Sequence, residues 1–352
     1  MGLINREQIL DWLYCDDEAR LEELWQRADE VRRDKVGDEV HLRGLVEIGN
    51  YCRRQCGYCG INASNKDVER YRVDAETIIE CAYQAHGYGY GTVVMQSGED
   101  PGIKAEWLAD VIRRIKQETP LAVTLSLGER EDEALAMWRE AGADRYLLRF
   151  ETSNPVLFAA IHPSIDGKPY TPADRFSLLK KVKDLGYEAG SGVMIGIPGQ
   201  SYQSLADDIL LFGEMDLDMI GVGPYIVHPD TPMGRGIGPR PLPGGEQVPG
   251  DELMAYKVVA LTRLTCPEAN IPSTTALASL NYESGRELGL KRGANVVMPN
   301  LTPPKYRYLY EIYPAKACIQ ESTDNFHSKL TGRIEGIGRS VGKGQGCRQH
   351  LG

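Results

Sequence analysis

From residue 42 onward, short strand-like runs alternate with helix-like runs. That rhythm points to a parallel sheet, because each parallel neighbour is reached by a crossover, usually a helix. The strand patterns fall at residues 42–48, 92–96, 122–126, 145–149, 189–195, 219–226, 273–277 and 294–298. Helical patterns fill 75–88, 104–118, 132–141, 173–186, 203–215, 251–265 and 283–290. Eight strands with helices between them predict an α/β fold, a complete (β/α)8 TIM-type barrel over residues 37–315. Residues 1–36 read as an N-terminal pair of short helices, acidic early and basic late, expected to cap the bottom of the barrel. Residues 316–352 read as a short C-terminal extension, and its glycine-rich, basic end is expected to be solvated and partly mobile. The Gly- and Pro-rich stretch 234–250 reads equally as a lid or as an exposed loop.

A length of 352 residues with 42% hydrophobic side chains suits one barrel with a full core. The net charge of −10 argues against nucleic acid as the main partner. No apolar run approaches a membrane span, and the first residues lack the charged and apolar regions of a signal peptide, so no membrane association is expected. Of eight cysteines, three are clustered and five scattered. This is no disulfide framework and suits a reducing, cytoplasmic location.

Barrels of this kind carry their chemistry on the loops after the C-terminal ends of the strands. Those ends collect Cys52, Cys56 and Cys59 after the first strand, and Gln96, Ser97, Gly98, Glu99 and Asp100 after the second. Ser126 ends the third, Arg149 and Glu151 follow the fourth, and Thr274 and Thr275 fall in the seventh. The cysteines stand at C-x3-C-x2-C spacing on a loop begun by Gly49 and Asn50. Three thiolates on so short a loop suit three corners of one [4Fe–4S] cubane, a cluster that normally takes four cysteines. The next cysteine, Cys81, lies in a helical pattern. One iron is then open to a small molecule with an amine and a carboxylate, and Tyr58 adds a ring beside it. A structural zinc wants four ligands, usually as two pairs, and no second pair follows at a usual spacing. A plain electron-transfer cluster is the other simple alternative. Taken singly, Glu151 reads as well as a salt-bridge partner, and Arg175 as a surface ion pair. On one barrel face beside the cysteine loop they read as ligand groups.

The cysteine motif resembles the signature of radical S-adenosylmethionine (SAM) enzymes. In that superfamily the open iron binds SAM, whose cleavage gives a 5′-deoxyadenosyl radical. "VEIGNYCRRQCGYCG", "QSGEDP", "VTLSLGE", "AGADRYLLRFETSNP", "IGIPGQ", "GVGPYIVHPDTP", "IPSTTA" and "GANVVMPNLTP" together resemble the HydE family of [FeFe]-hydrogenase maturases, in order over about residues 30–318. The resemblance implies a closed barrel, a [4Fe–4S] cluster and SAM. It implies a role in H-cluster assembly on a small organometallic iron substrate, a cysteine-bound Fe(CO)2(CN) synthon. An external electron donor and other hydrogenase maturases are the implied partners. The resemblance carries Cys52, Cys56 and Cys59 over as catalytic cluster ligands. It carries Gln96, Ser97, Arg149, Glu151, Arg175, Tyr310 and Tyr313 over as SAM-side or cavity residues, and Tyr58, Gly98 and Met219 are expected on the cofactor side as well. Thr124, Ser126, Thr274 and Thr275 fall on its substrate and anion cavity.

Several members of that family hold a second cluster near the C-terminus on three cysteines. Here Cys318 matches the first, the other two are missing, and a single cluster is expected. Biotin synthase shares the barrel and the cysteine loop but needs strand cysteines, which strands two to six lack. The alternatives are a methylornithine synthase-like lysine mutase and a non-enzymatic iron–sulfur electron-transfer protein.

Overall fold

The computed structural model describes residues 4–165, 167, 170–319 and 323–349. Its strands are β1 (Glu39–Gly49), β2 (Thr92–Ser97), β3 (Ala122–Ser126), β4 (Arg145–Leu147), β5 (Glu188–Ile195), β6 (Met219–Pro224), β7 (Val296–Val297) and β8 (Ser340–Val341). Its α-helices are α1 (Arg6–Tyr14), α2 (Glu18–Val36), α3 (Ala75–Gly87), α4 (Ala105–Glu118), α5 (Asp132–Glu140), α6 (Pro155–Ile161), α7 (Pro172–Asp184), α8 (Tyr202–Glu214), α9 (Glu252–Thr265), α10 (Thr275–Leu280), α11 (Gly285–Lys291), α12 (Pro304–Arg307) and α13 (Thr323–Gly336).

Seven strands form one parallel sheet in the order β6-β5-β4-β3-β2-β1-β7. Every residue of β5 is buried, as expected where both faces of a parallel sheet are covered. Helices supply the outer cover through apolar stripes such as Leu108, Val111, Ile112 and Ile115 of α4. Asp74, Ser201 and Asp251 start α3, α8 and α9 by accepting from the backbone three residues on.

The place of the expected seventh strand is different. Residues 270–272 make only isolated parallel bridges there, Asn270 with Met219 and Pro272 with Val296. The run 273–277 enters α10 instead, because the Thr274 hydroxyl accepts from Leu277 N at 3.4 Å and caps the helix. Ser273, Thr274 and Thr275 look strand-like, but a hydroxyl just before a helical pattern serves equally as a start signal. The last expected strand shortens to β7, and β4 ends at Leu147. Helix α6, unforeseen, begins at an Asn154 cap followed by Pro155, a strong start signal.

The N-terminal helices lie along the outer layer. Tyr14 stacks on Tyr202 of α8, Lys257 of α9 donates to the Leu13 carbonyl, and Arg292 sits over Trp25 of α2. It is the C-terminal tail that crosses beneath the strands. Strand β8 pairs with the start of β1, and Gly342 N donates to the Val40 carbonyl at 2.9 Å. The tail keeps exposed residues such as Lys343, Gly344 and Cys347 but is pinned along its backbone, because the strand bottoms carry buried polar groups that require partners.

A candidate active site at the C-terminal ends of the strands

Strand β1 ends at Gly49, and Asn50 turns the chain. Its side-chain amide donates to the carbonyls of Glu69 and Leu309, and its Oδ1 accepts from Tyr71 N, all at 2.8 Å. The Arg70 guanidinium gathers the carbonyls of Asn50, Ile61, Asn62 and Asn65. One cation thus ties both ends of the loop that carries Cys52, Cys56 and Cys59.

A second clamp comes from the loop after β2. Buried Glu99 accepts from Arg53 Nε at 2.6 Å, Arg54 Nε at 2.8 Å and the backbone N of Glu129 at 2.9 Å. Arg54 also reaches Glu129 at 2.5 Å. Burial raises the Glu129 carboxyl against the pull of the nearby Arg175. Glu99 was visible in sequence as part of a motif. Its pairing with the Arg53 and Arg54 doublet, and the part played by Glu129, were not.

All three cysteines are free thiols lining one cavity of about 260 Å3. Burial pushes the Cys56 thiol up to about 12 and raises Cys52 and Cys59 too. Half-buried thiolates in so desolvated a setting call for a compensating positive charge, which metal coordination provides. Among the described residues, no three His, Cys, Asp or Glu side chains converge on a single metal ion. A cubane takes each thiolate on a different iron, so three thiols lining one cavity suit a [4Fe–4S] cluster. Cys318 falls in the 3-10 turn Ala317–Ile319, and its side chain lies outside the described residues.

The same cavity is lined by Tyr58, and by Gln96, Ser97 and Gly98 after β2. Ser126, Arg149, Glu151 and Arg175 add to it from the next strands and α7, and Tyr310 and Tyr313 from the segment after α12. Tyr58 OH lies 3.1 Å from His162 Nε2, and burial holds that imidazole well below its usual range, hence neutral. Glu151 has a φ of +66°, a left-handed conformation that costs a non-glycine residue about 1–3 kcal/mol. Its Oε2 stands 2.9 Å from Arg149 Nη2 without hydrogen-bond alignment, while Arg149 donates to the Val193 carbonyl at 2.7 Å. Arg175 is buried, not a surface residue. Its Nε donates to Tyr170 OH at 2.7 Å and lies 3.3 Å from Glu129, and Nη1 donates to the Arg149 carbonyl.

Below this cavity lies a second, of about 170 Å3, and both are lined by Gln96, Ser126, Arg149 and Tyr313. Thr124, Thr274 and Thr275 line the inner one. So does Met219, which starts β6 at the far end from the cysteines and so lies apart from them. Glu47 of β1 also lines it, in a buried ion pair with Lys316 at 2.5 Å. Neither partner of that pair was singled out in sequence, where 269 residues separate them.

The sequence model of the Radical SAM superfamily matches residues 46–212. The [FeFe] hydrogenase maturase subunit HydE of Thermotoga maritima is 43% identical over 99% of this chain and 94% of its own length. The chain belongs to the HydE family of radical SAM enzymes. Outside the HydE family, the 3-methylornithine synthase of Methanosarcina acetivorans is 26% identical over 93% of this chain and 87% of its own. The crystal structure of methylornithine synthase matches with a TM-score of 0.81 at 23% identity, covering 97% of this chain and 95% of that one. The structure of HydG, a maturase of the [FeFe]-hydrogenase, matches at 0.74 and 18%, covering 96% and 72%. Both likenesses are of fold. No helix among the described residues of this HydE-family chain is long and apolar enough to cross a membrane.

Proposed function

We propose that this HydE-family enzyme acts in [FeFe]-hydrogenase H-cluster assembly, on a cysteine-bound Fe(CO)2(CN) synthon, with a [4Fe–4S] cluster held by Cys52, Cys56 and Cys59. When bound, the cluster and SAM supply a 5′-deoxyadenosyl radical. The observation that carries this reading is the pair of cavities sharing Gln96, Ser126, Arg149 and Tyr313, one at the cysteines and one deeper in the sheet.

The chain's own residues divide the work. Gln96, Ser97 and Gly98 receive the SAM amine, with Glu151 accepting from that amine or from the ribose hydroxyls. Arg175, held at the wall by Tyr170 and Glu129, pairs the SAM carboxylate. Tyr58 covers the cluster, and Tyr310 and Tyr313 wall the same space. In the inner cavity Thr124, Ser126, Thr274 and Thr275 donate to the carboxylate and cyanide of the synthon. The buried Thr124 hydroxyl has no hydrogen-bond partner among the described residues, which favours a ligand there. The isolated bridges of Asn270 with Met219 and of Pro272 with Val296 support reading the strands as a closed ring around this space, and such enclosure would keep water from a reactive radical. An external electron donor and the other maturases are the proposed partners.

A lysine mutase would want a carboxylate in the inner cavity for the ammonium. Glu47 is the carboxylate there, and Lys316 already engages it. The test is a SAM-cleavage assay on anaerobically reconstituted protein, with the synthon, with lysine, and with neither. Deoxyadenosyl products that depend on the synthon support the reading. Rearranged lysine, or no response to the synthon, overturns it.

A further inference from the structure

Barrel interiors are usually filled by layers of branched apolar side chains. The bottom of this one carries Arg43, Thr92 and Arg145, all buried, and buried donors need acceptors. The Glu188 carboxylate pairs Arg145, and the C-terminal tail supplies further acceptors, chiefly through its backbone. The Gln345 carbonyl accepts from Thr92 Oγ1 at 3.1 Å and from Arg145 Nη2 at 3.0 Å. The Gly346 carbonyl accepts from Arg43 Nη2 and from Asn270 Nδ2, both at 3.1 Å. Arg348 secures the far side, its N donating to Glu188 at 2.9 Å and its Nη1 pairing Asp218 at 3.0 Å and Asp216 at 2.8 Å.

The tail therefore reaches from β1 across to the residues just before β6. It lies too close to the strand ends for side chains between them. A Cβ on Gly91 would stand 1.6 Å from the Gly344 carbonyl oxygen. One on Gly346, whose φ is +60°, would stand 2.5 Å from the His41 ring.

Two of the groups the tail holds, Arg43 and Asn270, also line the inner cavity. Arg43 Nη1 lies 3.0 Å from the sulfur of Met219, another lining residue. We infer that residues 344–348 brace the floor of the inner cavity from beneath, and that Gly346 is a positioning residue that holds Arg43 within it. The inference rests on the reading that this cavity takes the substrate. With the floor in place, a ligand reaches the inner cavity from the cysteine end alone. Without it, Arg43 loses its acceptor and water enters from below, where radical chemistry calls for exclusion.

Two variants test this, a chain ended after Lys343 and the full-length Arg348→Ala, which removes the anchor without shortening the chain. Reconstituted proteins are compared by pulsed hydroxyl-radical footprinting of Met219, with Met194 of the upper cavity as the internal control. Iron content, SAM affinity, Tm and the kinetics with the iron synthon are measured beside it. Met219 oxidation should rise about fivefold or more while Met194 stays unchanged. Iron content and SAM affinity should hold within about twofold, and KM for the synthon should rise about tenfold or more with kcat nearly constant. Wild-type protection of Met219 in both variants overturns the floor, and an unchanged KM with Met219 exposed overturns the positioning role. Iron, SAM affinity and Tm falling together in both variants would show a stabilising strap only and also overturn it. If the wild type ignores the synthon, the maturase reading fails, while the Met219 footprint still decides the floor.

Discussion

Gly98 stands so close to the cysteine loop that a Cβ on it would lie 2.3 Å from the carbonyl oxygen of Tyr51. The neighbouring contact is Cys52 Cβ at 2.8 Å, so the loop after β2 seats the first cysteine directly. Gly98→Ala must push that loop aside. Reconstituted wild type should hold about four irons per chain, and the variant less than half as much, with unchanged far-UV circular dichroism. Full iron content in the variant would show that the cysteines do not depend on this contact.

Glu99→Gln keeps the shape of the side chain but removes the charge that Arg53 and Arg54 share. Charge-assisted hydrogen bonds of this kind are worth about 1.5–3 kcal/mol. The cluster should then be stripped several-fold faster by a chelator, because its loop opens more often. Equal stripping rates would place the hold on the loop with Arg70 instead.

Arg175→Ala and Glu151→Ala should each weaken SAM binding about tenfold or more, by loss of one charge-assisted hydrogen bond. Iron content should be unchanged, since neither residue is a cluster ligand. Titration of SAM against the reduced protein, read by electron paramagnetic resonance, checks both. Unchanged affinity in the pair would put SAM elsewhere.

Asp208 of α8 accepts from the backbone N and the hydroxyl of Ser153, both at 2.6 Å, two residues beyond Glu151. Burial pushes its carboxyl up to about 7 from an ordinary value of 3.8. A raised folded-state value means the folded protein favours the neutral acid. This group's contribution to stability is full below about pH 4 and is lost as pH rises through about 7. The Tm of Asp208→Asn minus that of wild type should therefore increase between pH 5 and pH 8. A flat difference would show that Asp208 is already ionised in the folded protein at pH 5.

The Glu47–Lys316 pair is buried on both sides. Lys316→Met leaves an uncompensated carboxylate and should cost about 3–5 kcal/mol, whereas Glu47→Leu with Lys316→Met should recover most of that loss. Denaturant unfolding of the single and double variants measures the coupling. Equal losses in both would mean that packing, not charge, decides this site.

Much of this was readable from residues a few positions apart. The alternation of apolar runs named a parallel α/β sheet, and the C-x3-C-x2-C spacing named a three-cornered cluster loop at its C-terminal edge. Spacing of this kind is set within one or two turns of chain, so no distant partner is needed to read it. Where a short signal pointed two ways, packing chose. Ser273, Thr274 and Thr275 fit a strand as well as a helix start, and the cap at Leu277 N settled the matter. Arg175 read singly as a surface ion pair and, beside the cysteine loop, as a ligand group; the fold buries it against Tyr170 and Glu129.

The tail is the largest difference. By itself "GIGRSVGKGQGCR" is a solvated, glycine-rich segment, and nothing local gives it a conformation. Its partners are Arg43, Thr92 and Arg145, with Arg43 standing 303 residues from the carbonyl it donates to. The sequence by itself determined which chemistry this chain carries, because thiol spacing and helix periodicity are local. Only the tertiary structure decided what encloses that chemistry, because a buried donor reveals its acceptor only after the chain has closed around it.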